Sequence, residues 1–69
     1  SSDQWLKNDL KAYTTETLSE KNLKRQGLLN HEAIRSILEE HFSGREIHDT
    51  LIWSLLVFHK WFELYIEGH

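Results

Sequence analysis

The chain reads as an all-α fold, a small bundle of three to four helices over about 4–18, 20–26, 31–43 and 50–67. Three observations lead there. Proline is absent and glycine occurs three times in 69 residues, so little interrupts a helix. Apolar residues recur at helical spacing in each segment. Good capping residues open the middle segments and Gly27 and Gly44 close them.

The first helix is expected to start after Asp3, whose side chain suits the free N–H groups of an opening turn. Leu6, Leu10, Tyr13 and Thr17 lie on one face with Trp5 beside them. Lys7, Asn8, Asp9 and Lys11 lie outside. Thr14 and Thr15, both β-branched, weaken its second half. The second element is a short helical turn, with Ser19 as N-cap, Leu23 as inward anchor and Gly27 as stop after Lys24 and Arg25.

Asn30 caps the third helix, Glu32 sits in its first turn and Gly44 ends it. Ile34, Ile37, Leu38, His41 and Phe42 form one apolar stripe, and Arg35, Ser36, Glu39 and Glu40 the far face. Asp49 or Thr50 is the expected cap of the fourth helix. Its apolar set includes Leu51, Ile52, Trp53, Leu55, Leu56, Val57, Phe58, Trp61, Phe62, Leu64, Tyr65 and Ile66. Three short neighbours cannot easily cover that much circumference. Either two or three of these side chains stay exposed or a partner surface is missing.

Size and charge narrow the function. One domain is the most that 69 residues allow, and such a chain buries only about 60% of its unfolded surface. Without cysteine it has neither disulfides nor thiolate metal sites. A net charge of −3 argues against general nucleic-acid binding. The stretch from Leu51 to Ile66 is too short and too charged to span a bilayer, which needs about 20 mostly apolar residues. The opening Ser1-Ser2-Asp3 lacks the basic and apolar regions of a signal peptide. A cytoplasmic protein is therefore expected, with Ser1-Ser2 and Gly68-His69 read as tag-derived additions to a piece of a larger protein.

Candidate chemistry is sparse. His31, His41, His48, His59 and His69 include no pair closer than seven residues, whereas zinc sites usually show close ligand pairs. His59 and Glu63 stand at i, i+4 but would need two more ligands, so a surface pair or a half-buried, satisfied His is favoured. His41 lies on an apolar stripe. It could be an acid/base group, but with no nucleophile placed beside it the preferred role is structural, donating a ring N–H to a carbonyl near the Gly44 turn or complementing the helix end.

Glu39 and Glu40 point about 100° apart and do not converge. Ser43-Gly44-Arg45 lacks the Lys-Ser/Thr of a phosphate loop. Short helices joined by Gly turns suit helix-turn-helix DNA binding, yet only Arg35 among several acids would face bases, and Lys21, Lys24 and Arg25 cluster on a short turn. Trp5, Trp53 and Trp61, in helical stripes, read as core.

Several stretches taken together resemble one family. Trp5-Leu6 with Leu10 is similar to a helix opening on a Trp-Leu pair. Leu18-Ser19, Leu23 and Gly27-Leu28 follow. Ile34, Leu38, His41, Ser43-Gly44-Arg45 and His48 continue the order. Leu51, Trp53, Leu55-Leu56 and Trp61 resemble the closing helix, with Ile52 interposed as a small departure. Over about residues 4–63 the chain resembles the carboxy-terminal end of the synthase domain of glutamine-dependent asparagine synthetases.

That resemblance implies a parent amidotransferase that makes asparagine from aspartate through an aspartyl-adenylate, with glutamine supplying ammonia and with ATP and magnesium as its cofactors. Relatives of that domain close β-lactam or peptide lactam rings, so the substrate stays open. The family's N-terminal Cys nucleophile, its Ser-Gly-Gly-x-Asp-Ser loop and its Lys-bearing loop have no counterpart in this sequence. No catalytic, cofactor-binding or metal residue is carried over.

The leading expectation is a non-catalytic carboxy-terminal subdomain packing against the nucleotide-binding core, its partner being the remainder of the synthase domain, without nucleic acid or membrane. The structural anchors expected are Trp5, Leu38, His41, Phe42, Trp53, Leu56 and Trp61, and Trp53→Ala is expected to unfold the isolated chain. The alternatives are a free-standing module self-associating through its fourth helix and a small DNA-binding domain.

Overall fold

Capping chemistry sets the boundaries of four helices. In the computed structural model, which describes the backbone of residues 2–68 and the side chains of residues 7–68, α1 spans Ser2–Thr17, α2 Glu20–Gln26, α3 His31–Ser43 and α4 Asp49–Tyr65. The described residues contain no strand, and the all-α expectation holds.

Ser19 is extended and its Oγ accepts from Asn22 N–H at 3.3 Å, which starts α2. Asn22 in turn donates its side-chain amide to the carbonyls of Thr17 (3.0 Å) and Glu16 (3.3 Å), satisfying acceptors that the end of α1 leaves free. Asn30 Oδ1 accepts from Ala33 N–H at 3.0 Å and starts α3. Gly44 stops α3 with φ of 82°, a left-handed conformation costly for any residue bearing a Cβ. The N–H groups of Arg45 and Glu46 then fold back to Glu40 O.

Two caps differ from expectation. α1 begins at Ser2, so Asp3 has helical backbone within the first turn rather than the extended backbone of a cap. Its side chain lies outside the described residues. α4 begins at Asp49 with His48 at the cap position and no side-chain cap bond. The reason is local: the backbone N–H of His48 is already taken by His41 Nδ1 at 3.0 Å, which pins the turn just before Asp49. Asp49 instead opposes the positive end of the helix from its first turn.

The core is Leu18, Leu23, Ile34, Leu38 and Ile52, drawn from all of α2 to α4 and the end of α1. Leu29, Ile37, Phe42, Leu55 and Leu56 pack around it. Leu23, at 1% exposure, is the centre.

The inward face of α1 is only in part the one the spacing suggested: Thr17 is inward as expected, Leu10 and Tyr13 are not, and the side chain of Leu6 lies outside the described residues. Thr14, Thr17 and Leu18 are buried, whereas Leu10 and Tyr13 are more than half exposed. Among the described side chains of α1, burial is confined to its C-terminal part, and every described residue from Lys7 to Tyr13 is exposed. The β-branched Thr14 and Thr17, which disfavour helix, sit where packing compensates.

The arrangement is open. The radius of gyration is 12.6 Å, against about 11 Å for a compact chain of this length. The accessible surface is 5268 Å², roughly 700 Å² more than the ~4,600 Å² expected for a monomer of this mass.

Candidate functional site

α4 divides into two faces. Ile52, His59 and Phe62 are buried, with Leu55, Leu56 and Phe58 half-buried beside them. On the opposite side Trp53, Val57, Trp61 and Leu64 are exposed, at i, i+4, i+8 and i+11, with Tyr65 next to them. Those spacings place the first four side chains within one stripe. Trp61 stacks on Phe58 at 6.0 Å and meets Tyr65 at 6.1 Å, so the lower half of the stripe is an aromatic ladder in contact with water.

Trp53 is 68% exposed and Trp61 46%. Within this chain neither is a core anchor, which corrects that expectation. Their side of α4 faces away from α1, α2 and α3. Of the other named anchors, Leu38 is buried, and His41, Phe42 and Leu56 are half-buried. The side chain of Trp5 lies outside the described residues. The number of uncovered large side chains on α4 exceeds the two or three foreseen: Leu51, Trp53, Val57, Trp61, Leu64 and Tyr65 are all exposed.

What sets the rotation of α4 is a polar clasp to the end of α2. Gln26 donates from Nε2 to His59 Nδ1 at 2.7 Å, both side chains buried. His59 therefore carries its proton on Nε2, 3.5 Å from Glu63 Oε1. Gln26 Oε1 is buried without a partner. Arg25 reinforces the clasp with two bonds to Glu67, Nε to Oε2 at 2.8 Å and Nη2 to Oε1 at 3.2 Å. The sequence held no signal for either contact, since the partners lie 33 and 42 positions apart. The spacing of Trp53, Val57, Trp61 and Leu64 marks them as one stripe in the sequence, but not as the side of α4 that stays uncovered.

A second polar cluster surrounds the α3–α4 turn. His41 sits in the last turn of α3, one of the two roles expected for it, but its Nδ1 accepts from His48 N–H rather than donating to a carbonyl, and its Nε2 stands 3.6 Å from Asp49 Oδ1. Its ring also packs edge-on to Phe42 at 5.0 Å. His48 Nε2 donates to Glu40 Oε1 at 3.1 Å and lies 3.9 Å from Glu46 Oε2. Glu39, as expected, points elsewhere and is exposed.

Glu40, Glu46 and His48 could each direct one donor atom to a common point. The set does not suit a magnesium–nucleotide complex. Magnesium takes near-octahedral oxygen ligands and phosphate, whereas this set includes an imidazole already bonded to a carboxylate. The Ser43-Gly44-Arg45 turn spends its groups internally, Arg45 Nε on Ser43 Oγ (3.1 Å) and Ser43 Oγ on Glu40 O (3.1 Å).

The described features define a class: a small helical module whose last helix presents an uncovered aromatic and aliphatic face. No described helix is long and apolar enough to cross a membrane. The model of the asparagine synthase family matches residues 1–63, and the chain belongs to that family. Comparison with curated proteins and with solved structures gives no match.

Proposed function

We infer that the chain is a non-catalytic helical subdomain, carboxy-terminal in the synthase domain of an ATP-dependent asparagine-synthetase-like amidotransferase, and that it seats on the nucleotide-binding core through the outward face of α4. The carrying observation is the stripe of Trp53, Val57, Trp61 and Leu64, uncovered in a member of the asparagine synthase family.

In this reading the parent converts aspartate, ATP and glutamine to asparagine in the cytoplasm, and its other parts hold ATP, magnesium and the nucleophile. The chain contributes packing. In its described titratable clusters the imidazoles pair with neighbouring side chains, His31 with Glu20, His41 with Asp49, His48 with Glu40 and His59 with Gln26, and the one hydroxyl among them, Ser43 Oγ, is bonded to Glu40 O and Arg45 Nε.

Produced as separate polypeptides, the chain and the nucleotide-binding part of the synthase domain should associate. Trp53→Asp together with Trp61→Asp should weaken that association by roughly a hundredfold or more, as for two aromatic hot spots, without changing the helicity of the chain. Undiminished association of the double variant would overturn the assignment of this face.

The same stripe also supports a second reading, a free-standing module that dimerises through α4. Sedimentation decides between them: a dimer of the chain alone at low micromolar concentration, made monomeric by the double substitution, favours the module.

A further inference from the structure

A different surface, independent of the α4 face, carries an inference of its own. Between α1 and α3 runs an open groove of about 480 Å³, floored by Leu38 and Phe42 and rimmed by Lys11, Arg35 and Arg45. All three rim cations are exposed. Among the described residues none of them forms a direct ion pair with a carboxylate, although Arg35 is near enough to Glu20 to help lower its pKa; Lys24, Arg25 and Lys60 do form such pairs. One acid, Glu39, shares the rim. In a chain of net charge −3 the groove is thus a local reversal of sign.

The cations are placed rather than scattered. Lys11 Nζ stands over the Phe42 ring, 5.8 Å from its centroid. Arg45 Nε is held by Ser43 Oγ, leaving the terminal nitrogens of its guanidinium to face a ligand. Arg35 lies on α3 and Arg45 just beyond its end. The helix rises about 12 Å between Arg35 and Ser43, so the two arginines arise from opposite ends of the groove.

An extended polypeptide matches that length. Residues i, i+2 and i+4 of an extended strand share one face, and i to i+4 covers about 13 Å. We propose that this groove binds an extended acidic segment of a partner polypeptide, of the pattern acid–x–apolar–x–acid. Its two carboxylates meet Arg35 and Arg45, its apolar side chain rests on Leu38 and Phe42, and Lys11 closes over it from α1.

The test uses the 69-residue chain and the fluorescein-labelled peptide Gly-Glu-Thr-Phe-Thr-Glu-Gly, read by anisotropy and by amide chemical shifts. Saturable binding with a dissociation constant below about 1 mM in low salt, weakening as salt rises, is expected. Arg35→Glu with Arg45→Glu should weaken it at least about tenfold while the helix content is kept. Lys21→Glu, an exposed cation outside the groove, should change it less than about twofold. Shifts should centre on Thr15, Leu38, Phe42 and Ser43.

The proposal is overturned if the peptide fails to bind, if Lys21→Glu weakens binding as much as the double reversal, or if replacing Phe by Ser in the peptide leaves affinity unchanged. Pyrophosphate binding equally tightly would make the groove a small-anion site instead. Self-association abolished by the double reversal would make its occupant a second copy. Either outcome refutes a separate acidic partner.

Discussion

The two faces of α4 reverse the usual order of burial. The side turned to the chain's own core carries His59 at 7% exposure beside Ile52 and Phe62, while the side turned to water carries Trp53 at 68% and Trp61 at 46%. By residue type alone the tryptophans belong inside and the histidine nearer the surface. The reversal follows from what grips α4. The Gln26–His59 bond and the Arg25–Glu67 pair tie it to α2, and a helix so tied cannot also turn Trp53 and Trp61 inward. The polar clasp sets the rotation and leaves the larger apolar area exposed.

The sharpest break of that comparison comes from truncating one aromatic on each side. Phe62→Ala removes a ring that is 8% exposed, at a cost of about 3–5 kcal/mol, a large share of the stability of so small a domain. Trp53→Ala removes a larger ring that touches little, so the isolated chain should melt within about 0.5 kcal/mol of the parent. Urea unfolding of the two variants checks both. If Trp53→Ala unfolds the chain, as its residue type suggests, the outward assignment fails.

The same Trp53→Ala change sharpens the comparison when made in the assembled synthase domain. A ring buried at an interface centre contributes ~2 kcal/mol or more, so the variant should raise the dissociation constant of the two separately produced parts by roughly thirtyfold. Equal affinity of variant and parent would leave the outward face without a role in assembly.

How much of this was legible in the sequence divides along the same line. Helix ends were readable wherever a side chain makes its own local cap: Ser19 to Asn22, Asn30 to Ala33, and the left-handed Gly27 and Gly44 all act within five residues. The start of α4 was missed because its cap position is set by His41, seven residues back, accepting a backbone proton. The total apolar load of α4 announced side chains that its neighbours leave uncovered. Which side is uncovered depends on Gln26 and Arg25 reaching 33 and 42 positions forward, and periodicity holds no such information. Leu10 and Tyr13 were misplaced for a related reason, since periodicity reveals an apolar face but not whether a neighbour extends far enough to cover it.

The clasp itself is open to a smaller test. His59→Leu strands the amide of Gln26 in a site where its Oε1 already lacks a partner, and should cost about 1–3 kcal/mol. Adding Gln26→Leu removes the stranded group and should recover part of that loss. A double-mutant cycle by urea unfolding measures the coupling. Strictly additive losses would mean the two side chains fit side by side without depending on each other, and the rotation of α4 would need another cause.

The smallest effect lies far from α4, on the exposed rim of α2. Glu20 Oε1 sits 2.9 Å from Lys24 Nζ and 3.4 Å from His31 Nε2. The hydrogen bond and attraction from Lys24 hold its carboxyl below the ordinary value, with His31 and Arg35 adding to the effect. A carboxyl depressed in the folded state stabilises the fold above its unfolded pKa and loses that contribution as pH falls through the folded one. Glu20→Gln should therefore lower the melting temperature slightly at neutral pH, with the gap to the parent closing on acidification and shrinking in salt. A gap that persists below the carboxylate range would assign Glu20 to packing rather than charge. Since neither Glu20 nor Lys24 belongs to the clasp, the variant should leave the exposure of Trp53 and Trp61 unchanged, and quenching of their fluorescence by acrylamide would register any rotation of α4.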